Sequence, residues 1–236
     1  MSVGDEITAK IGRWTFEGDV TNTFSQHVAR SVPLYYEGHD VITRLSDFFI
    51  MDGSVCYELG SSNGNLTIKL AQKNSDKKNT MFIGIDEVPS MCKTATKNKE
   101  NLRNVKFICD DILKYDYEKA DLIVSYYTIQ FVRPKMRQEI FNTIYNSLNW
   151  GGAFILFEKV RASDARFQDI MTTMYLEYKK SKDYTNDEIL DKLFSIKGIL
   201  EPFSSQGNMD LLKRAGFTDI MSIMKYLCFE GFLAIK

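Results

Sequence analysis

Val55-Cys56-Tyr57-Glu58-Leu59-Gly60-Ser61-Ser62-Asn63-Gly64 is the stretch that decides how this chain is read. Val55 to Leu59 is a short apolar run that reads as a buried strand. Gly60 and Gly64 allow a tight turn, and Leu66, Ile68, Leu70 and Ala71 then open a helix. A strand, a glycine turn and a helix N-terminus bring backbone N–H groups up to a ligand, with the positive end of the helix dipole behind them. The spacing is E-x-G-x-x-x-G, because Ser62 stands where a dinucleotide fingerprint has its middle glycine. A plain strand-to-helix turn also uses glycine, so the stretch needs support from elsewhere. Asp86 supplies it by ending a second apolar strand, Met81 to Ile85. A carboxylate in that position accepts hydrogen bonds from the two ribose hydroxyls of an adenosine. With no third glycine to make room for a pyrophosphate, the pattern favours S-adenosylmethionine.

Outward from this turn, strands are expected at 54–59, 81–86, 104–109, 120–126 and 152–158, with helices near 64–73, 89–101 and 135–148. Strands alternating with helices give an α/β fold with a parallel, doubly wound sheet. Trp150-Gly151-Gly152 reads as a turn feeding the fifth strand. Upstream, Phe24, His27 and Val28 fall at helical spacing until Ser31-Val32-Pro33 stops the helix, and a second helix carries Val41, Leu45, Phe48 and Phe49. Downstream, 162–200 is mostly helical, with Phe167, Ile170, Met171, Met174, Tyr175 and Tyr178 on one side. A further helix ends at Gly216, and an antiparallel pair of strands closes the chain. The reading is one domain over 1–236, with 1–50 and 162–205 as lid elements.

Composition narrows the classes. Of 236 residues, 44% are hydrophobic and 26% charged, and the net charge of −1 provides no basic field for nucleic acid. The four cysteines form no C-x-x-C pair and read as core thiols of a reducing compartment. With only two histidines, a zinc site is not expected. No apolar run approaches the ~20 residues of a membrane span, so a cytoplasmic protein is expected.

Several side chains are candidates for the site. Glu58 is placed to order the turn and to reach the amino group of an amino-acid ligand; a solvated strand-end carboxylate is the plainer alternative. Asp111, with Ile112 beside it, is placed to meet the adenine, although aspartate also serves commonly as a helix cap. Ser125 to Phe131 follows the fourth strand and reaches the same sheet edge. Aromatic faces attract a cation such as a sulfonium by ~0.5–2 kcal/mol, so Tyr126, Tyr127, Tyr175 and Tyr178 are candidates for a wall around it. For Tyr178 an ordinary core role is preferred. His27 and His39 read as surface or structural residues, since neither has a placed partner.

The segments Ile11 to Phe16, Arg30-Ser31-Val32-Pro33-Leu34-Tyr35, Glu58 to Gly64, Thr128 to Phe131, Gly151-Gly152 and Ala215 to Phe217 together resemble the carboxy-S-adenosylmethionine synthases, over nearly the whole chain. The resemblance implies the class I methyltransferase fold, Rossmann-like, with a seven-stranded sheet whose last strand is antiparallel. It also implies a homodimer, and a reaction of S-adenosylmethionine with prephenate. Cofactor contacts are implied at Tyr35, Gly60, Ser61, Ser62, Asp86, Glu87, Asp111 and Ile112. Arg30 and Tyr35 are placed either to hold the cofactor carboxylate or to brace the lid. Two positions depart from the family: ungapped alignment puts Leu193 where it has a carboxylate-binding arginine, and Tyr126 where it has an asparagine. Both replace polar groups with apolar or aromatic ones.

Methyl transfer to a small molecule is therefore the first functional reading. A second is cyclisation of S-adenosylmethionine to azetidine-2-carboxylate and methylthioadenosine, with Tyr126 and Tyr175 forming the dry reaction chamber. Carboxy-S-adenosylmethionine synthesis and a non-catalytic cofactor-binding subunit complete the alternatives.

Overall fold

The computed structural model describes residues 1–5, 7–16 and 19–236, and the side chains of all of these except 19–24. The sheet is built from β1 (Val55–Leu59), β2 (Met81–Asp86), β3 (Val105–Cys109), β4 (Ala120–Tyr126), β5 (Leu148–Lys159), β6 (Asp219–Tyr226) and β7 (Phe229–Ile235). Its order is β3-β2-β1-β4-β5-β7-β6. β1 to β5 pair in parallel, and β7 runs antiparallel to both β5 and β6. The strand order reverses between β1 and β4, which opens a crevice beyond their carboxyl ends where such sheets bind ligands.

Helices cover both faces, and the central strands are buried on both sides. Along β1, Cys56 packs with Leu66, Leu70, Phe82 and Leu122 on one face. Tyr57 and Leu59 pack with Ile85, Phe141 and Phe154 on the other, as the period of two requires. The helices are α1 (Asp19–Ser31), α2 (Tyr35–Ser46), α3 (Asn65–Lys73), α4 (Pro89–Asn98), α5 (Pro134–Ser147), α6 (Ala165–Ser181), α7 (Asn186–Ser195) and α8 (Ser205–Ala215). Their ends follow local chemistry. Pro33 separates α1 from α2, and Pro89 and Pro134 sit in the first turns of α4 and α5. Thr185 and Glu188 form a capping box on α7, and Gly216 ends α8 with φ +119°.

The differences from the expected boundaries have physical causes. β5 begins at Leu148, because Trp150 to Gly152 does not interrupt the strand. It forms an irregularity between the Ala120 and Leu122 pairings, where Gly151 N–H donates to Lys236 O. The apolar residues of α6 do not share one environment. Tyr175 packs against the core, whereas Phe167 (52% exposed), Ile170 and Met174 face outward. Phe24, expected on the same helix face as His27 and Val28, lies outside the described side chains. Val3, Ile7, Ala9 and Trp14 form a small separate core with Met91, against which Ile196 and Ile199 pack, tying the N-terminal segment to α4 and to the chain after α7. Among the described residues, no helix is long and apolar enough to cross a membrane, and no cluster of His, Cys, Asp and Glu side chains could hold a metal ion.

Candidate functional site

The glycine turn is pinned to the end of β2: Gly60 and Ser61 N–H both donate to Ile85 O, at 2.7 and 3.0 Å. Gly60, Ser62 and Gly64 all have positive φ, and Ser62 (+48°) carries the cost that glycine would avoid. A side chain on Gly60 would collide with Thr128, so the turn and the loop after β4 touch here. Gly64 serves differently. It precedes α3, and a side chain there would strike the Phe107 ring, away from the cavity. Asp86 accepts from Ser62 N at 2.8 Å through one carboxylate oxygen and from Val88 N at 3.0 Å through the other. Each oxygen keeps a lone pair for a further donor. Burial pushes this carboxyl up from the ordinary range.

Above the turn lies a cavity of about 1500 Å³, lined by Glu58, Gly60, Ser61, Ser62, Asp86 and Glu87, and across from them by Asp111 and Ile112. Glu58 is buried and accepts from the Thr67 hydroxyl. Burial, reinforced by nearby Asp86, pushes its carboxyl up to about 8, and none of the described cations pairs with it. Asp111 uses one oxygen to cap Leu113 N at 2.9 Å and the other to meet Lys114 at 3.2 Å. It caps no helix, since only a turn at 112–114 follows β3, and it stands in the cavity wall.

An aromatic wall faces this corner. Tyr126 donates its hydroxyl to Tyr35 O at 2.6 Å, and Tyr175 donates to Ser31 O at 2.7 Å. Both hydroxyls are taken by backbone carbonyls of α1 and α2, so what the two residues offer the cavity is ring face. Gly38 makes the first contact possible, since a Cβ there would overlap the Tyr126 hydroxyl. Tyr35 and Tyr127 complete the wall, at 5.1 and 4.6 Å from the Tyr126 ring. Tyr178 stacks on Tyr175 and leans toward Tyr226, outside the lining. His39 is wedged between Tyr35 and Tyr126, and His27 stacks on Trp14 and meets Asp5 at 2.9 Å. Both are buried, and both reach the cavity lining. Burial lowers them to about 3 and about 4, so both rings are neutral.

Sequence reasoning missed three lysines. Lys159 leaves the end of β5 and stands 4.4 Å over the Tyr175 ring. Lys179 stands 5.5 Å from that ring, and Lys192 covers Trp14. All three line the cavity, and none forms a salt bridge among the described residues. Burial first, then a neighbouring lysine or arginine, lowers each of them; Lys179 falls to about 8. The available signal was positional. Lys159 ends a strand at the ligand edge, and Lys179 is one helical turn from Tyr175.

Arg30 is not brought to the cavity. It pairs with Asp5, donates to Lys182 O at 2.7 and 3.1 Å, and lies 4.4 Å over Tyr184, joining the N-terminal segment to the α6–α7 loop. Leu193, where the resemblance implies an arginine, is 58% exposed at the cavity margin, beside Lys192.

These residues fit S-adenosylmethionine. The turn admits backbone but no Cβ, Asp86 keeps acceptor capacity for ribose, and Glu58 is a buried carboxyl lacking a cation.

A family model described as a methyltransferase domain matches residues 50–204. The carboxy-S-adenosyl-L-methionine synthase of Staphylococcus epidermidis is 35% identical, over 95% of this chain and 97% of that protein. The enzyme of the same name from Nautilia profundicola is 36% identical, over 95% of each chain. Among solved structures, human N-acetylserotonin methyltransferase in complex with SAM superposes with a TM-score of 0.62 at 14% identity, over 92% of this chain. The methyltransferase SibL in its apo form gives a TM-score of 0.62 at 14% identity, over 85%. This chain spans 55% of the length of each of those two structures. With the sheet order, the glycine corner and this end-to-end similarity in agreement, the chain belongs to the carboxy-S-adenosyl-L-methionine synthase family, within the class I methyltransferase superfamily, and is an S-adenosylmethionine-dependent transferase.

Proposed function

We propose that the chain transfers the methyl group of S-adenosylmethionine to a small, negatively charged molecule. The observation that carries this reading is the trio Lys159, Lys179 and Lys192, which lines one cavity and forms no salt bridge among the described residues, with Asp5 acting on Lys192 without pairing to it. Buried charge is expensive unless paired, so a site that keeps three ammonium groups is matched to a ligand that brings the counter-charge. The cavity, about 1500 Å³, also exceeds the ~300–1,000 Å³ of ordinary single-ligand sites, leaving room for a second molecule.

When bound, S-adenosylmethionine supplies a methyl group on a sulfonium, which leaves as a neutral thioether. In this reading Asp86 holds the ribose, Asp111 and Ile112 meet the adenine, and Glu58 receives the amino group. The faces of Tyr126, Tyr127 and Tyr175 exclude water and favour the cation by ~0.5–2 kcal/mol. The lysines fix the acceptor, and orientation supplies the rate without an acid–base pair.

The relatives are named for carboxy-S-adenosyl-L-methionine synthesis, and that reaction is the second reading. The lysines suit a carboxylate ligand equally well, but Leu193 offers no guanidinium in the lid. Segments 1–50 and 162–205 act as the lid. A homodimer belongs to the same proposal, supported by the outward apolar stripe Phe167, Ile170 and Met174 on α6. So does a cytoplasmic setting, supported by the free state of Cys56, Cys92, Cys109 and Cys228.

The test is a thermal-shift series on protein saturated with S-adenosylhomocysteine, comparing small mono- and dicarboxylic acids with their neutral amides. Acids should stabilise and amides should not. Equal shifts for each pair, or none, would overturn the anionic assignment.

A further inference from the structure

Two thiols meet at the corner where β2 and β3 end, beside the residues assigned to the adenosine. Cys92, in the first turn of α4, donates to Asp86 O at 3.2 Å and lies 3.9 Å from Ile108 O. Cys109 ends β3, paired in register with Asp86, and its sulfur lies 3.9 Å from Glu87 O. The two sulfurs thus lie against the carbonyls of adjacent residues, Asp86 and Glu87, where the paired strands end. Cys109 is exposed and Cys92 buried, so an oxidant meets one sulfur while the other waits behind it. Cys56 and Cys228 are buried, on β1 and in the β6–β7 turn.

We propose that Cys92 and Cys109 are a peroxide-sensitive thiol pair whose disulfide weakens adenosine binding at the same corner. The oxidant is a hydroperoxide. The Cys109 sulfur attacks one peroxide oxygen and the O–O bond breaks; the departing hydroxide takes the Cys109 thiol proton and leaves as water, and the sulfur becomes a sulfenic acid. The Cys92 sulfur then attacks the Cys109 sulfur. The S–S bond forms as the S–O bond breaks, and the thiol proton leaves with the departing hydroxide as water. Two thiols are oxidised by two electrons, and one hydrogen peroxide is reduced to two waters. Cys92 is buried, so the oxidant reaches Cys109 first and Cys92 is left to resolve the sulfenic acid.

The effect on the cofactor follows from what the bond joins. A disulfide draws the sulfurs to about 2.05 Å, pulling the end of β3 toward the first turn of α4. It also removes the thiol donated to Asp86 O. Asp86 and Glu87 line the cavity from one side of this pair, and Asp111 and Ile112 from the other. This half of the inference rests on the cofactor placement proposed above. By linkage, bound cofactor must disfavour the disulfide by the same factor by which the disulfide weakens the cofactor.

The experiment treats the full-length reduced protein with hydrogen peroxide, with and without S-adenosylhomocysteine, and follows intact mass, peptide maps and calorimetric titration. The expected result is loss of two hydrogens, a Cys92–Cys109 cross-linked peptide, protection by S-adenosylhomocysteine, and an affinity about 10-fold weaker that dithiothreitol restores. Cys109→Ser, at an exposed position, should bind S-adenosylhomocysteine normally and lose the peroxide response. Over-oxidation of Cys109 without the cross-link overturns the pairing, and a cross-linked protein with unchanged affinity overturns the coupling. Reduced protein that binds no S-adenosylhomocysteine overturns the cofactor placement and the coupling with it, while the mass spectrum still decides the pairing.

Discussion

Replacing Lys179 by methionine sets the stability of the lid against its chemistry. Lys179 is 6% exposed, lies near the Tyr175 and Tyr184 rings, and shares its cavity with Lys159 and Lys192. Burial, then the charge of Lys159, brings its ammonium from the ordinary 10.5 down to about 8. At about 1.4 kcal/mol per pH unit, holding that charge at pH 7 costs the folded state roughly 3 kcal/mol. Because the folded value lies below the unfolded one, the cost is full below pH 8 and fades between pH 8 and 10.5. Methionine keeps an apolar stem of similar length and drops the charge. Lys179→Met should therefore be more stable by about 2–3 kcal/mol at neutral pH, a rise of roughly 4–10 °C in Tm for a chain of this size. The gain should shrink in alkaline buffer. The same change removes a charge-assisted contact to the acceptor, worth about 1.5–3 kcal/mol, so KM for the acceptor should rise roughly 10–100-fold while S-adenosylmethionine is little affected. Urea titrations at neutral and alkaline pH, with steady-state kinetics, read both effects. A variant less stable than the parent at neutral pH, or one whose acceptor KM is unchanged, refutes the reasoning.

Gly60→Ala forces a Cβ into Thr128 at φ +73°, so S-adenosylhomocysteine affinity should fall by about 10-fold or more while circular dichroism stays native; unchanged affinity would remove the turn from the site. Glu58 is raised to about 8, so the free protein is protonated there below that pH, and a bound ammonium favours the ionised form. Affinity for S-adenosylhomocysteine should accordingly climb from pH 6.5 toward its plateau above about 8, by up to about tenfold per pH unit. Glu58→Gln should flatten that dependence, and a slope unchanged in the variant assigns the proton elsewhere. Arg30→Ala breaks the ties to Asp5 and Lys182, costing about 1–3 kcal/mol of stability; a comparable loss of cofactor affinity would show that Arg30 reaches the ligand after all.

What the sequence made legible was local. β2 spans Met81 to Asp86 as its apolar run indicates, and α8 stops at Gly216, because strand burial and a left-handed cap depend on neighbouring residues. The Glu58–Gly64 turn and Asp86 meet for the same reason, since adjacent parallel strands bring their carboxyl ends together. The lysine trio was not legible, because Lys159, Lys179 and Lys192 come from β5, α6 and α7 and line one cavity only in the folded chain. In sequence each looks like a solvated lysine. Arg30 illustrates the converse. It belongs to the Arg30–Tyr35 segment that helps carry the family resemblance, yet Asp5 and the Lys182 carbonyl, far away in sequence, claim its donors.

The central claim is a two-substrate reaction, and mass spectrometry of the products tests it most directly. Purified protein is incubated with S-adenosylmethionine alone, and then with the acids that stabilise it. The expected result is unchanged S-adenosylmethionine in the first incubation, and S-adenosylhomocysteine with a methylated acid in the second. Methylthioadenosine with azetidine-2-carboxylate from S-adenosylmethionine alone would contradict it and make the cofactor its own substrate.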